Sequence, residues 1–364
     1  MASLPSPYSY RLALVRRQLA AWAVDAVLIS SPANRRWLTG FTGSWGHVLV
    51  SAEKALLATD FRYWEQARQQ APDFTLFTWR NTEAESMPRQ FLSQIGATTV
   101  GLEAAHTTLA TYEAWRKVEE VNWTALKDTL EPWRAVKTAT ELTQIRAAAA
   151  VTDHAMAQVP SLARPGLTER QLAWELEKQL REVGEAGLAF DIIVASGPNA
   201  ALPHHHPGGR ALTIGDAIVV DMGAELDGYR SDLTRTFFLG ADPTAKFREV
   251  YNLVWQAHEN VLRHLRAGLT GKAADALARD VITAAGHGEH FGHGLGHGVG
   301  LEIHEAPRLA AGNEEPLPAG AVVTVEPGVY LPDWGGVRLE DLVVLTESGL
   351  EMLSNAPKTP VIDI

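Results

Sequence analysis

GDAIVVDMGAELDGYRSDLTRTFFLG, residues 215–240, places two runs of alternating and β-branched residues on either side of Asp227-Gly228. An Asp-Gly pair in that setting signals a two-residue hairpin, because the tight turn needs positive φ at both central positions. With that turn, Asp221 lies across from Thr234, and Asp232 falls two residues along on the same face. Same-face diagonal neighbours are about 7–8 Å apart at the backbone, near enough for both carboxylates to meet one ion. Asp221 is costly there. It follows Ile218, Val219 and Val220, a run that reads as buried, and a buried carboxylate needs hydrogen bonds, a countercharge or a metal. Taken alone, an aspartate satisfied by backbone amides at a strand end is the more ordinary reading.

Two further stretches change that balance. AVVTVEPGVYLPDWGGVRLEDLVVLTESG (321–349) reads as a second hairpin, with Glu326 ending one strand and Glu340 early in the next. Pro327, Gly328, Pro332 and Gly335-Gly336 predict a wide loop between them. FGHGLGHGVGLEIHE (291–305) sets His293, His297 and His304 among five glycines. Glycine is entropically costly in regular structure, so the run implies close backbone approach to a crowded centre. Two carboxylate pairs on apolar strands plus these histidines are hard to explain as separate accidents. They point to a metal centre. Four carboxylates and one imidazole are hard to borderline donors, suited to manganese, cobalt, iron or zinc rather than copper. That donor set exceeds the needs of one ion and matches two ions roughly 3.5–4 Å apart sharing carboxylates.

At 364 residues the chain exceeds one typical core, and two domains are expected. Its 46% hydrophobic and 21% charged content is that of an ordinary globular protein. A net charge of -11 argues against a nucleic-acid partner. The absence of cysteine excludes disulfides, thiolate metal sites and cysteine nucleophiles. The N-terminal apolar segment is broken by Arg16, Arg17 and Asp25 and lacks a secretory pattern. No run approaches the roughly 20 apolar residues that span a bilayer, so no membrane partner and a cytoplasmic location are expected.

Along the chain, residues 8–24 predict an amphipathic helix, 25–30 and 47–51 short buried strands, and 59–71 a helix opened by Thr59-Asp60. Residues 98–103 predict a strand, followed by a helix to Val121. Alternating strands and helices suggest a small α/β domain over 1–134. From 135 to 364, a long helix with Leu142, Ile145, Ala149 and Thr152 on one face precedes helices at 168–184, 244–266 and 270–284. These surround the two hairpins, which indicates α+β.

Six ordered motifs in the second part carry a resemblance: ALPHH (201–205), VVDMGAE (219–225), SDLTRTF (231–237), HGLGHGVGLEIHE (293–305), TVEPGVY (324–330) and GGVRLEDLVVL (335–345). The chain resembles the pita-bread metallopeptidases, a family that includes methionine aminopeptidase, aminopeptidase P and prolidase. SSPANRRWLTGFTG (30–43) and TDFRYWEQA (59–67) resemble the N-terminal domain of its proline-specific branch. The resemblance implies a C-terminal pita-bread catalytic domain behind a smaller creatinase-like α/β domain. It puts the ligands of two divalent ions, manganese foremost, on Asp221, Asp232, His297, Glu326 and Glu340. Asp221 would chelate one ion, Asp232 and Glu340 would bridge, and His297 and Glu326 would complete the other. His204 and His304 would be catalytic, as would Glu326 as acid/base, with His205 and His206 peripheral. His293, Arg308 and Arg338 would contact substrate, Arg338 alternatively supporting the site through a salt bridge.

The implied reaction is hydrolysis of Xaa-Pro bonds by a metal-bridging hydroxide, with Arg308 favouring a dipeptidase that holds the substrate's terminal carboxylate. The alternative is an aminopeptidase P acting on longer peptides. A homodimer is implied. A creatinase-like amidinohydrolase, or a non-catalytic pita-bread binding protein, is disfavoured by retention of all five ligand positions and by the acidic charge.

Overall fold

The computed structural model describes residues 6–80, 86–184 and 186–363, and the chain divides into two compact units, Met1–Trp133 and Arg134–Ile364. Among the described residues, no helix is long and apolar enough to cross a membrane.

The first unit is built on six strands: β1 (Ala26–Ile29), β2 (His47–Ser51), β3 (Ala55–Asp60), β4 (Thr75–Trp79), β5 (Thr99–Glu103) and β6 (Asn122–Leu126). They form one mixed sheet in the order β4-β3-β2-β1-β5-β6. Its apolar run AVLI is buried throughout, as a central strand covered on both faces requires. The SSPANRRWLTG segment becomes the helix Pro32–Thr39. Ser31 caps it by accepting from the Asn34 amide, Pro32 opens it, and Gly40 ends it at φ 78°. Two sequence expectations need correction here. The first helix stops at Gln18, because the chain turns through Ala23 at φ 55°. Thr59 and Asp60 belong to β3, and Asp60 caps a short 3₁₀ turn before the helix Trp64–Gln70.

In the second unit, the helix Ala139–Ala157 starts at a capping box in which Thr138 and Glu141 exchange side-chain-to-backbone bonds. Its inner face carries Ile145, Ala148, Ala149 and Thr152, all buried. Helices Glu169–Gly184, Ala245–His264 and Gly271–Ala284 follow, close to the spans the periodicity predicts. On Ala245–His264, Phe247, Val250, Tyr251, Val254, Ala257 and Val261 recur at helical spacing and pack into the main core. Full burial of each valine or phenylalanine side chain among them stabilises by about 1.5–3 kcal/mol.

The strands of this unit are β7 (Gly187–Leu188), β8 (Ile193–Ser196), β9 (Ala217–Met222), β10 (Ala224–Leu226), β11 (Tyr229–Arg230), β12 (Leu233–Leu239), β13 (Gly296–Gly298), β14 (Glu305–Leu309), β15 (Val322–Val325), β16 (Gly328–Leu331), β17 (Gly335–Arg338), β18 (Asp341–Leu345), β19 (Leu350–Met352) and β20 (Val361–Ile362). Strands β20-β12-β9-β8 form one sheet, and β14-β13-β15-β18-β19 another. The first hairpin has the register its turn predicts: Asp221 pairs with Thr234. Asp227 and Gly228 both take positive φ, 48° and 73°. The wide loop expected after Glu326 is instead a two-stranded hairpin, β16 with β17, pairing Gly328 with Arg338. Its register continues that of β15 with β18, where Val325 pairs with Asp341. Glu326 and Glu340 therefore face each other at the break between the two ladders. Proline and glycine suppress the local strand signal, but a neighbouring ladder already in register supplies the pairing.

Candidate metal centre and cleft

His297, Asp232 and Glu340 each present one donor atom within 4.8 Å of the others, and all three residues are buried. They arrive from separate strand ends. Asp232 immediately precedes β12, His297 is the middle residue of β13, and Glu340 immediately precedes β18. His297 Nε2 lies 3.6 Å from Asp232 Oδ2 and 3.3 Å from Glu326 Oε1. The His297 amide donates to Thr324 Oγ1 (3.0 Å), whose hydroxyl donates to Glu326 Oε1 (3.0 Å). Gly296 and Gly298 flank this histidine. A Cβ on the first would strike the Thr324 carbonyl, and one on the second the Ala306 carbonyl. These two glycines thus admit the backbone of adjacent strands, rather than the direct approach to a crowded centre that their spacing suggests.

The two hairpins are stitched together at the carboxylates. Thr234, opposite Asp221, donates its hydroxyl to Glu340 Oε2 at 2.6 Å. Arg235, 1% exposed, donates to the Glu340 carbonyl and to Asp341 Oδ1. Arg338 donates through Nη2 to Asp221 Oδ2 (2.6 Å), through Nε to Thr234 Oγ1 (3.1 Å) and through Nη1 to the Tyr330 hydroxyl (2.9 Å). Those bonds hold its guanidinium against Asp221, Thr234 and Tyr330 at the cavity wall. Asp221 Oδ1 is buried without a hydrogen-bond partner.

Electrostatics follow from this crowding. Burial, then repulsion from Glu340, Asp221 and Glu326, raises Asp232 well above the ordinary carboxylate range. Glu340 is raised well above it for the same reasons. Burial pushes Glu326 up to about 7, against the pull of Arg338. Burial also lowers His297 to about 3 and His293 to about 4, so both rings are neutral and able to ligate or to hydrogen-bond as single donors. An unpartnered buried oxygen, an excess of carboxylates and a neutral imidazole form a donor set that fits divalent cations.

One cavity of about 450 Å³ takes in every residue singled out from the sequence: His204, Asp221, Asp232, His293, His297, His304, Arg308, Glu326, Arg338 and Glu340 all line it. The His304 ring stands edge-on to His297 at 4.3 Å, and burial followed by repulsion from Arg308 lowers its pKa. His293 bonds the Tyr330 hydroxyl at 2.9 Å. His205 and His206, expected to be peripheral, also line the cavity, because the segment Pro203–His206 forms one wall. Phe190, Asp191, Ile193 and Tyr330 escaped the sequence reading. Only their neighbourhood to strand ends could have signalled them.

A model of metallopeptidase family M24 matches residues 143–347, and one of the creatinase/prolidase N-terminal domain matches residues 11–136. The chain belongs to metallopeptidase family M24. Within that family it is similar to an Xaa-Pro dipeptidase of Pyrococcus horikoshii, 32% identical over 92% of this chain and 94% of the relative. Its fold superposes on an Xaa-Pro dipeptidase from Bacillus anthracis with a TM-score of 0.94 and 38% identity, covering 97% of this chain and 99% of that one. It superposes on an X-Pro aminopeptidase from Thermotoga maritima with a TM-score of 0.87 and 35% identity, covering 96% and 100%. As an M24 metallopeptidase it combines a creatinase-type N-terminal domain with a pita-bread α+β domain.

Proposed function

We propose that this M24 metallopeptidase cleaves Xaa-Pro bonds and prefers the free dipeptide, with residues 1–134 as accessory domain and 135–364 as catalytic domain. The observation that carries the reading is the convergence of Asp232, His297 and Glu340 within 4.8 Å at a cavity that Arg308 also lines. Asp221, Asp232, His297, Glu326 and Glu340 would hold two divalent ions, with manganese favoured by four carboxylates and one imidazole and cobalt, zinc or iron as alternatives. Bound there, the ions would acidify shared solvent and polarise the scissile carbonyl.

The chain's own groups divide the remaining work. Glu326 would be the acid/base that accepts and returns the proton of that solvent. His204 and His304 are the donors for charge developing on the carbonyl oxygen. Arg338 holds Asp221 in place at 2.6 Å, and His293 shapes the wall with Tyr330. A bond to proline has no N–H to offer, so recognition falls to the ring's shape and to the peptide's charged ends. Arg308, exposed at the cleft, is the group suited to a dipeptide's terminal carboxylate. The Xaa-Pro dipeptidase relatives support this choice, and the Thermotoga maritima aminopeptidase supports the alternative of longer substrates. A cytoplasmic location and a homodimer complete the proposal. The homodimer rests on the resemblance, and fractionation and light scattering test the two.

The deciding experiment compares hydrolysis of matched Xaa-Pro and Xaa-Pro-Xaa peptides with manganese, before and after chelation. Metal-dependent cleavage of the dipeptide supports the proposal. Preference for the tripeptide makes the enzyme an aminopeptidase P, and no cleavage of either with metal bound removes the proline assignment.

A further inference from the structure

Glu169 is the first residue of the helix Glu169–Gly184, and its side chain is 0% exposed. Burying a carboxylate so completely is costly unless both oxygens are satisfied. Here they accept five bonds. Oε1 takes the Ser196 amide (2.9 Å), the Ser196 hydroxyl (2.8 Å) and Asn199 Nδ2 (3.0 Å). Oε2 takes His205 Nε2 (2.9 Å) and the Gly208 amide (3.1 Å). These donors hold the pKa of Glu169 down against its burial.

The donors share one origin. Ser196 ends β8, Asn199 lies in the 3₁₀ helix Gly197–Ala201 that follows it, and His205 and Gly208 lie on the irregular stretch beyond. His204 sits inside that segment, one residue before His205, and lines the cleft. Pro203 and His204 form a turn closed by the His205 amide donating to the Leu202 carbonyl at 3.1 Å, so holding the His205 ring on Glu169 fixes the turn that carries His204 at the cavity wall. Two other bonds brace the same stretch: Leu202 N to the Asn199 carbonyl at 2.9 Å, and Arg338 Nη1 to the Pro203 carbonyl at 3.4 Å.

We infer that Glu169 and His205 form an anchor that aims His204 into the cleft, a positioning pair for the hydrolysis proposed above, on which this inference rests. Glu169 touches neither the carboxylate cluster nor the scissile unit. It acts by clamping both ends of the segment that carries His204.

The test uses the full chain with manganese and an Xaa-Pro dipeptide. Glu169→Gln keeps one acceptor oxygen but turns an amide N–H₂ against the Gly208 N–H, which cannot accept. His205→Ala removes the side-chain end of the clamp, and His205→Gln restores a donor near the position of Nε2. Displacing a catalytic group by about 1 Å can cost roughly 100-fold in rate. We expect kcat to fall about 10- to 100-fold in Glu169→Gln and His205→Ala, with KM within about twofold and bound metal unchanged. His205→Gln should recover most of the loss, and neither lesion should add to His204→Ala. Unchanged kcat in both variants, or losses that multiply with that of His204→Ala, would overturn the anchor. If Glu169→Gln does not fold, the two His205 variants decide. If the wild type cleaves neither peptide, the functional reading fails separately. The anchor is then decided by the His204 imidazole signals in ¹H–¹⁵N spectra of metal-free protein: shifted in His205→Ala and restored in His205→Gln if it stands, unmoved if it does not.

Discussion

Lys137→Met removes an ammonium buried to 1% exposure beside Glu305, itself 5% exposed. Lys137 Nζ donates to Glu305 Oε1 at 2.5 Å and to the carbonyl oxygens of Arg134 (2.8 Å) and Ala135 (3.3 Å). Glu305 is not stripped bare, because Arg134 still donates to its Oε2 at 2.5 Å. Breaking a buried ion pair from one side costs about 3–5 kcal/mol, chiefly because the other charge stays desolvated. The retained arginine places this case at the low end, about 3 kcal/mol. Methionine replaces most of the lysine stem, so no large cavity adds to it. In a unit of this size about 1 kcal/mol moves the midpoint by roughly 2–4 °C, which makes the expected fall roughly 6–12 °C. Calorimetry of the full chain is the assay. Tryptophan emission would report mostly on the first unit, since eight of the eleven tryptophans precede residue 134. Adding Glu305→Gln to Lys137→Met should recover at least half of the loss, because the carboxylate left short of one donor is gone while Arg134 keeps Glu302 as its countercharge at 2.8 Å. A fall under about 2 °C, or a double variant as unstable as the two single losses added, would refute the argument.

Metal should stabilise the fold as well as activate it. Manganese at 100 times its dissociation constant should raise unfolding stability by about 2.7 kcal/mol. Asp232→Asn and Glu340→Gln should abolish that gain, read by thermal shift with and without chelator and by elemental analysis. Arg308→Ala should raise KM for an Xaa-Pro dipeptide about 10- to 100-fold, the scale of one lost charge-assisted hydrogen bond, and leave the Xaa-Pro-Xaa peptide within about threefold. In the first unit, burial and then Arg35 lower His47 from an ordinary 6.5 to about 4. The unfolded chain therefore binds the proton first. Stability is fully present above pH 6.5 and falls by about 2–3 kcal/mol as the pH drops to 4. Tryptophan-monitored urea unfolding should show that slope, and His47→Gln should flatten it.

Much of the site was legible before any fold was known, and the reason is local. The Asp227-Gly228 turn sets the pairing of Asp221 with Thr234 within a few residues, and a strand's period of two then places each side chain. Carboxylates on apolar strands and glycines around His297 violate ordinary patterning, and such violations mark function. The β16–β17 hairpin was misread because Pro327, Pro332 and the paired glycines look like a loop at short range. Its pairing comes from the neighbouring ladder.

The sequence by itself determined the family, the two-part organisation, the metal-type donor set and the register of the first hairpin, all from patterns a few residues long or motifs in order. Tertiary structure alone decided the partners. Arg338 reaches Asp221 across 117 residues, Lys137 reaches Glu305 across 168, and His205 reaches Glu169 across 36. It also decided that Tyr330 bonds His293 and that His205 and His206 line the cleft. No local propensity specifies such pairs, because what selects them is desolvation: a charge buried by the fold must find its partner wherever the packed chain brings one.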